Sequence, residues 1–222
     1  MSGPRRRPEF PLEFLLFDLD GTLLDTLPDI AGSVNHTLRR LGRPTLSVPM
    51  IRSYVGRGLE VLLVRSLGDG DAELLEEAAR IFRAHYDDHC LDFSRPRPGA
   101  RELLDRFADR PMAVVSNKPE RFIHRLLEAF DMDRRMSAVF GGDSVPEKKP
   151  SPLMVLLALE RFGAAPDRGI LVGDMPVDVE TGRAAGVYTV AVTGGFAERE
   201  ELEASAPDLL LEGLTDIPGL FH

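Results

Sequence analysis

A short apolar run that ends in two acids constrains this chain more than any other stretch. Phe14–Phe17 has the length and composition of a strand buried on both faces, and Asp18 and Asp20 follow it. Burying these carboxylates without partners would be costly, so they must lie where the strand opens out. Because side chains alternate along an extended chain, both acids leave on one side, and Gly21 permits a tight turn after them. The sequence therefore predicts two carboxylates converging on one site.

The following stretch has helical periodicity throughout. Apolar residues recur at spacings of three and four over residues 27–41, and two further amphipathic patterns cover residues 59–67 and 71–89. Residues 95–99 then carry two prolines, which break both helix and strand, and we expect a linker there.

Beyond residue 99 helices and strands alternate, a pattern typical of a parallel sheet. The predicted helices cover residues 100–108, 119–130, 153–162 and 179–185, the predicted strands cover 112–115, 138–140, 170–172 and 188–192, and a last apolar piece covers 209–211. We therefore predict an α/β fold in which a Rossmann-like parallel sheet core (residues 1–25 and 96–222) carries an inserted all-helical cap domain (residues 26–95). Ligands of such sheets bind outside the carboxyl ends of the strands, so the insert is placed as a lid over the first strand.

Polar residues also follow the later strands. Ser116 and Asn117 come after one strand, Gly173-Asp174 after another, and Lys149 enters a helix between them. A parallel sheet would gather these residues along one edge. Carboxylate oxygens without a histidine or thiol cluster suit Mg²⁺, and a lysine with a hydroxyl suits a phosphate group. Together they predict phosphoryl transfer.

These segments resemble, in order, the four motifs of the haloacid dehalogenase superfamily. The matching residues are Phe17-Asp18-Leu19-Asp20-Gly21-Thr22, Ser116-Asn117, Lys149 in Lys-Pro-Ser-Pro, and Gly173-Asp174 with Asp178. Within that superfamily the chain is similar to the phosphoglycolate phosphatases, through Asp25-Thr26-Leu27-Pro28-Asp29, Tyr54-Val55-Gly56-Arg57-Gly58 and Gly141-Gly142-Asp143-Ser144.

The resemblance implies a role for each matching residue. Asp18 would attack phosphorus to give an aspartyl-phosphate, and Asp20 would protonate the leaving oxygen and later activate water. Ser116 would hold the phosphoryl group, and Lys149 would neutralise it and restrain Asp18. Further substrate-binding candidates are Asn117, Gly21, Thr22 and Arg57. The residues implied to bind Mg²⁺ are Asp18, Asp20 through its carbonyl oxygen, Asp174 and, in support, Asp178.

Arg57 is a candidate to pair with a substrate carboxylate, because glycines flank it in a segment between helices. The residue at this place varies among the phosphoglycolate phosphatases, however, so a structural role is an equal alternative.

The expected reaction is Mg²⁺-dependent hydrolysis of a small phosphate monoester, with 2-phosphoglycolate as the leading substrate. The alternatives are a sugar-phosphate phosphatase, a pyrophosphatase, a mutase of the β-phosphoglucomutase kind, a haloacid dehalogenase and a non-catalytic phosphate-binding module. Asp20 and the metal-binding carboxylates argue against the dehalogenase, which has no need of a second acid. The presence of every motif residue argues against the non-catalytic module.

Composition narrows the partners to small molecules. With 27 basic and 36 acidic residues the net charge is −9, which disfavours binding to nucleic acid or anionic membrane. No apolar run approaches the roughly 20 residues of a membrane span, and the single cysteine cannot form an internal disulfide. We expect a cytoplasmic protein, monomeric or homodimeric, with a solvated tail at Arg5–Arg7.

Two other features receive structural interpretations. His85 and His89 are four residues apart on a predicted helix, but no further ligand is in view, so we predict helix surface and core contacts and no zinc site. Residues 194–196 are predicted to be a loop after the last long strand.

Overall fold

The computed structural model describes residues 12–68 and 71–221, so Arg5–Arg7 lie outside the described residues. The first elements are β1 (Phe14–Phe17), β2 (Leu24–Asp25), α1 (Leu27–Arg40), α2 (Val48–Arg52), α3 (Leu59–Leu67), α4 (Ala72–His89) and β3 (Arg95–Pro96). They are followed by α5 (Ala100–Arg106), β4 (Met112–Val115), α6 (Glu120–Ala129), β5 (Ala138–Phe140), α7 (Leu153–Phe162), β6 (Gly169–Gly173), α8 (Pro176–Ala185), β7 (Tyr188–Val192), α9 (Arg199–Ser205) and β8 (Leu209–Leu211). Short 3₁₀ turns cover Asp133–Arg135, Pro166–Arg168 and Leu214–Gly219.

Six strands form one parallel sheet in the order β5-β4-β1-β6-β7-β8. The side chains of β1 are buried on both faces: Leu15 and Phe17 pack in a cluster with residues of α5 and α6, while Phe14 and Leu16 pack with residues of α7 on the other face. This two-sided burial explains why the run carries no polar residue. The predicted α/β fold with a parallel sheet is confirmed.

The strand order brings three polar strand ends together. Phe17 at the end of β1 is in register with Val114 of β4 on one side and Val172 of β6 on the other. The residues that follow these strands therefore meet at one edge of the sheet, where Asp18 donates its N–H to the carbonyl oxygen of Val172, 2.9 Å away.

Helices α1–α4, here called the helical insert, bury apolar side chains against one another and form a second hydrophobic cluster. Its fully buried members include Val34, Leu63, Ala78 and Tyr86, and Phe122 of α6 joins it from the sheet side. The sequence pattern predicts three of these helices. The fourth, α2, has only five residues, too few for a period to show. Ser47 caps its N-terminus, where the serine hydroxyl accepts the N–H of Met50.

The two chain segments that join the helical insert to the sheet pair with each other. Leu24 pairs with Pro96 and Asp25 with Arg95 in an antiparallel ribbon of β2 and β3. The prediction that residues 95–99 break strand structure is wrong for Arg95 and Pro96. A proline is tolerated here because each strand of a two-stranded ribbon is an edge strand, which leaves one side unpaired.

Other differences from the predicted elements are small. Helix α8 begins three residues earlier than predicted, and β6 extends one residue at each end. Helix α9 was not predicted because, in seven largely charged residues, it buries a single apolar side chain, that of Leu202. Within the described residues, no helix combines the length and apolar character that a bilayer-crossing segment needs.

Candidate active site

Asp18 lies beside a buried ammonium at the centre of the sheet edge. Lys149 Nζ is 3.0 Å from Asp18 Oδ1 and 2.6 Å from Asp178 Oδ1, and all three residues are buried. Asp178 is fixed in turn by the N–H of Met175, which donates to its Oδ2 at 3.0 Å at the start of α8. Burial alone would lower the pKa of Lys149, but the carboxylates of Asp178 and Asp18 reverse this and raise it above its usual range. The lysine is therefore a permanent positive charge at Asp18.

A third carboxylate, Asp174 after β6, completes the cluster. Its Oδ1 accepts the hydroxyl hydrogen of Thr22 at 2.6 Å, and its Oδ2 accepts the N–H of Phe196 at 2.7 Å. Gly21 and Gly195 lie against this carboxylate so closely that a Cβ atom on either would overlap it. Gly21 also has a φ of 86°, which an L side chain rarely adopts. The turn after β1 thus needs glycine for both its conformation and its contact with Asp174.

The three carboxylates suit a divalent cation. Asp18, Asp174 and Asp178 offer oxygen atoms that lie within 4.8 Å of one another, and with Lys149 the formal charge of this buried group is 1 − 3 = −2. Burial raises the pKa of Asp174, and the Asp18 and Asp178 carboxylates raise it further. Burial also raises the pKa of Asp178, against the opposing effect of Lys149. Asp18 Oδ1 accepts no well-directed hydrogen bond from the described residues. Surplus negative charge and an unsatisfied hard oxygen fit a metal such as Mg²⁺.

Asp20 is held by groups from both sides of the site. Lys118, which follows β4, places its Nζ 3.0 and 3.1 Å from the two carboxylate oxygens, and Thr26 donates its hydroxyl to Oδ1 at 2.7 Å. The same ammonium donates to the hydroxyl of Tyr86 on α4 at 2.8 Å. Burial lowers the pKa of Lys118, but Asp20 and Tyr86 more than compensate and raise it above its usual range. Sequence reasoning missed Lys118 and Tyr86.

Asn117 connects three parts of the site through its side chain. Its Oδ1 accepts the N–H of Lys149 at 2.8 Å, and its Nδ2 donates to the carbonyl oxygens of Lys149 at 3.1 Å and Gly56 at 2.9 Å. The first two bonds fix the backbone that presents Lys149, and the third reaches the helical insert. In this conformation the Asn117 side chain therefore positions the backbone of Lys149 and Gly56.

A cavity of about 60 Å³ opens between the sheet edge and the helical insert. Its polar lining includes the two acids of the first motif, and apolar residues of α1, α3 and α4 contribute to the opposite wall. The lining residues are Asp18, Asp20, Ser116, Asn117, Lys118, Pro119 and Phe122 from the sheet side, with Ile30, Val55, Gly56, Gly58, Leu59, Leu62, Phe82 and Tyr86 from the helical insert. The candidate nucleophile, Asp18, therefore lies on the wall of a cavity whose size suits a small substrate.

Most of the predicted site residues meet at this sheet edge, although their roles stay predictions. Gly21 donates its N–H to the carbonyl oxygen of Leu24 at 2.7 Å, and the hydroxyl of Thr22 is engaged by Asp174, so both support the site's framework here. Arg57 is exposed and is absent from the cavity lining within the described residues. A nearby arginine, Arg52, was not predicted. It donates to the carbonyl oxygens of Gly195 at 2.7 Å and Phe196 at 2.8 Å, in the loop that contacts Asp174.

Comparisons with known proteins agree with this arrangement. Residues 15–192 match the family described as haloacid dehalogenase-like hydrolase. A phosphoglycolate phosphatase of Pseudomonas putida is 36% identical over 209 residues, which are 90% of this chain and 76% of that protein. A phosphoglycolate phosphatase of Nitrosospira multiformis is 37% identical and covers 96% of both chains.

A solved structure has the same architecture over nearly the whole chain. It is described as a predicted phosphoglycolate phosphatase from Haemophilus somnus, has a TM-score of 0.90 and 30% sequence identity, and matches 95% of this chain and 98% of its own. The family match covers the helical insert and every strand of the six-stranded sheet except β8, and the two relatives cover 90% and 96% of this chain. The chain therefore belongs to the haloacid dehalogenase-like hydrolase family.

Proposed function

We propose that this protein is a Mg²⁺-dependent phosphatase that hydrolyses 2-phosphoglycolate to glycolate and phosphate through an aspartyl-phosphate. The observation that carries the proposal is the placement of Asp18: it lies at the cavity, beside Lys149 and within a cluster of three buried carboxylates. The relatives that share the name phosphoglycolate phosphatase support the substrate.

In the first step, an oxygen of Asp18 attacks phosphorus and the bond from phosphorus to the ester oxygen breaks. The proton that the leaving oxygen needs comes from Asp20, which lines the same cavity. Ser116, also on the lining, holds the phosphoryl oxygens, and Lys149 offsets their charge while it keeps Asp18 in place. The products of this step are glycolate and the Asp18 aspartyl-phosphate.

In the second step, water attacks phosphorus and the bond to Asp18 breaks. Asp20, which lost its proton in the first step, accepts one from the water. The step returns Asp18 as a free carboxylate and Asp20 in its starting protonation state, so no proton or electron is left over. One residue thus serves as acid and then as base.

Asp18, Asp174 and the carbonyl oxygen of Asp20 would hold the Mg²⁺ ion, with Asp178 in support. When bound, the ion supplies positive charge that draws phosphoryl oxygens to a site which otherwise carries a surplus negative charge. Asp178 already accepts two hydrogen bonds, from Lys149 and Met175, which favours its supporting role.

We further propose that residues 1–25 and 96–222 form the catalytic core and residues 26–95 a cap that covers the site. The separate hydrophobic cluster of the helical insert supports this division, as does the pairing of β2 with β3 where the chain enters and leaves it. The apolar wall that the insert gives to the cavity supports its role in choosing the substrate.

The remaining assignments belong to the same proposal. The partner is a small phosphate ester and not nucleic acid or membrane, which the net charge of −9 supports. A cytoplasmic location is supported by the use of a single, buried cysteine. A monomer or homodimer is expected, and size-exclusion chromatography with light scattering would distinguish the two.

A phosphate-release screen tests the activity. We expect the protein with Mg²⁺ to hydrolyse 2-phosphoglycolate at least tenfold better, in kcat/KM, than pyrophosphate, sugar phosphates or nucleoside monophosphates; tenfold is about 1.4 kcal/mol of transition-state binding. Replacement of Asp18 by Asn should abolish turnover while the thermal unfolding midpoint and circular dichroism stay near those of the wild type. Acid-quenched wild-type enzyme should carry one phosphoryl group on the peptide that contains Asp18.

Three results would contradict the proposal. Near-normal turnover by Asp18→Asn would exclude Asp18 as the nucleophile. Absence of hydrolysis across the whole panel would favour the non-catalytic phosphate-binding alternative, whereas transfer of the phosphoryl group to a sugar would favour the mutase.

A further inference from the structure

The cavity contains one cation that the proposed reaction does not use. Among the described residues that line it, Lys118 alone has a cationic side chain; Asp18 and Asp20 are the two acidic residues of the lining, and most of the rest are apolar. Lys149 points instead between Asp18 and Asp178 and is absent from the lining. A second anionic group on a substrate, beyond the phosphate, therefore has Lys118 as its available counter-charge in this cavity.

The position of Lys118 is between the sheet edge and the helical insert. Its Nζ donates to both oxygens of Asp20 on one side and to the Tyr86 hydroxyl on the other, and it lies 4.6 Å from the centroid of the Tyr86 ring. The side chain is 5% exposed. A buried ammonium requires partners, and here an acid from the core and a hydroxyl from the insert supply them.

Tyr86 adds a second donor at the same place. Its hydroxyl oxygen accepts from Lys118, so its own hydrogen remains available, and no acceptor for that hydrogen occurs among the described residues. Tyr86 lines the cavity. An ammonium and a hydroxyl side by side can donate to the two oxygens of one carboxylate.

We infer that Lys118 is a specificity-determining residue that binds a carboxylate on the leaving group, with the Tyr86 hydroxyl as the second donor. The substrate class that follows is the phosphate esters of short hydroxy acids. This inference rests on the proposed function and deepens it, because it assigns the acid end of 2-phosphoglycolate to named atoms. An uncharged leaving group would gain nothing from Lys118.

The inference links recognition to the first chemical step. A substrate carboxylate that binds Lys118 competes with Asp20 for the same N–H groups. Asp20 is then held by Thr26 alone among its present side-chain partners and can turn toward the leaving oxygen. An acid substrate thus frees the residue that must protonate it, whereas a neutral ester leaves Asp20 paired.

A pair of esters tests the inference. 2-Phosphoglycolate and 2-hydroxyethyl phosphate share the phosphate and the two-carbon chain, and differ by a carboxylate against a neutral hydroxymethyl group. We expect Lys118→Met to lower kcat/KM for 2-phosphoglycolate about 100-fold and for 2-hydroxyethyl phosphate less than about fivefold. Tyr86→Phe should lower only the first value, by about fivefold to tenfold, because it removes a single hydrogen bond.

Two further variants serve as controls. Lys148→Met removes a positive charge near Gly58 at the edge of the cavity, and Arg65→Met removes an exposed cation of the helical insert. Both should keep the preference for 2-phosphoglycolate within about twofold, since neither side chain lines the cavity. Unfolding midpoints establish that each variant is folded. If Lys118→Met does not fold, Tyr86→Phe carries the test.

The outcomes separate this inference from the proposed function. Equal losses on both esters would mean that Lys118 only positions Asp20, and loss of preference in Arg65→Met or Lys148→Met would assign the carboxylate to another cation. Either result overturns the inference and leaves the phosphatase standing. If the wild type hydrolyses neither ester, both the inference about Lys118 and the proposed phosphatase function are contradicted.

Discussion

Arg52 of the helical insert donates its Nε–H to the carbonyl oxygen of Phe196, 2.8 Å away in the core. A second bond reaches Gly195, and an ion pair of 3.2 Å joins Arg52 to Glu198. Because the N–H of Phe196 binds Asp174, one side chain of the insert helps to fix the loop that orients a candidate metal ligand. The insert therefore contributes to the candidate metal site without touching its carboxylates.

Replacement of Arg52 by Ala should weaken Mg²⁺ binding about tenfold, because residues that orient metal ligands have effects of this size. Calorimetric titration of the protein with Mg²⁺ measures this directly, without substrate. Arg65→Ala is the matched control: it removes an exposed arginine of the insert that donates to the carbonyl oxygen of Ser53 and lies over the ring of Tyr54. Unchanged Mg²⁺ affinity in Arg52→Ala would disconnect the loop from the metal site.

Gly21→Ala should damage the same site from the other side. The added methyl group would overlap the carboxylate of Asp174, and the φ of 86° would be strained, so we expect at least a tenfold loss of kcat/KM. Gly42→Ala provides the comparison, since Gly42 also has a positive φ, of 66°, but open space around it. It should cost about 1 kcal/mol of stability and leave activity intact. Equal activities in the two variants would refute a role for close packing on Asp174.

Asp29 should contribute strongly to stability. Its buried carboxylate accepts hydrogen bonds from the N–H of Phe93 and from the N–H and hydroxyl of Ser94, and so connects the start of α1 to the segment before β3. Asp29→Ala leaves these buried donors unpaired and should lower the free energy of unfolding by about 3 kcal/mol. Asp71→Ala removes only the exposed cap of α4 and should cost about 1 kcal/mol. Urea unfolding compares the two variants. Similar decreases in the free energy of unfolding would contradict the larger contribution predicted for Asp29.

Stability should fall in mild acid through the insert's histidines. The rings of His36 and His89 lie 4.0 and 4.2 Å from that of His85, measured between centroids. Burial lowers the pKa of His85 below its ordinary value, and the neighbouring histidines lower it further. Since the unfolded chain then binds a proton more readily than the folded one, the free energy of unfolding decreases as pH falls through about 6.5.

Replacement of His85 by Gln should reduce this dependence. Urea unfolding at about pH 8 and pH 5.5 measures it, because carboxylate effects are shared by wild type and variant and cancel in the difference. His124→Gln, at an exposed position on α6, is the control and should behave like the wild type. A pH dependence that is identical in His85→Gln and wild type would contradict the prediction.

The sequence was enough to predict the parallel sheet and the residues at its edge, because each depends on a local pattern. A buried run followed by Asp18, or by Asp174, places a carboxylate at a strand end whatever the rest of the chain does. Lys118 could not be identified in this way. It follows Asn117 directly, but its importance depends on Tyr86, which is 32 residues earlier on another element. Nothing in either local sequence shows that the two side chains meet.

Arg52 and Arg57 illustrate the same limit. Glycines on both sides made Arg57 the more visible candidate, yet its side chain is exposed, while Arg52 reaches across to the core. The direction in which each arginine side chain points depends on the packing of α2 against α1 and on the position of the loop that contains Gly195 and Phe196. The spacing of residues along the chain shows neither. The ribbon of β2 and β3 was likewise hidden, since two-residue strands have no period to detect.

The ribbon also bears on how such a chain can diversify. Leu24 and Pro96 pair with each other, so the two ends of the inserted segment are held side by side. This pairing does not depend on the length or fold of the segment between them. A different helical module could be grafted at this junction while Asp18, Lys149 and Asp174 kept their places. Exchange of the inserted helices alone would then present the same hydrolytic residues with substrates that have different leaving groups.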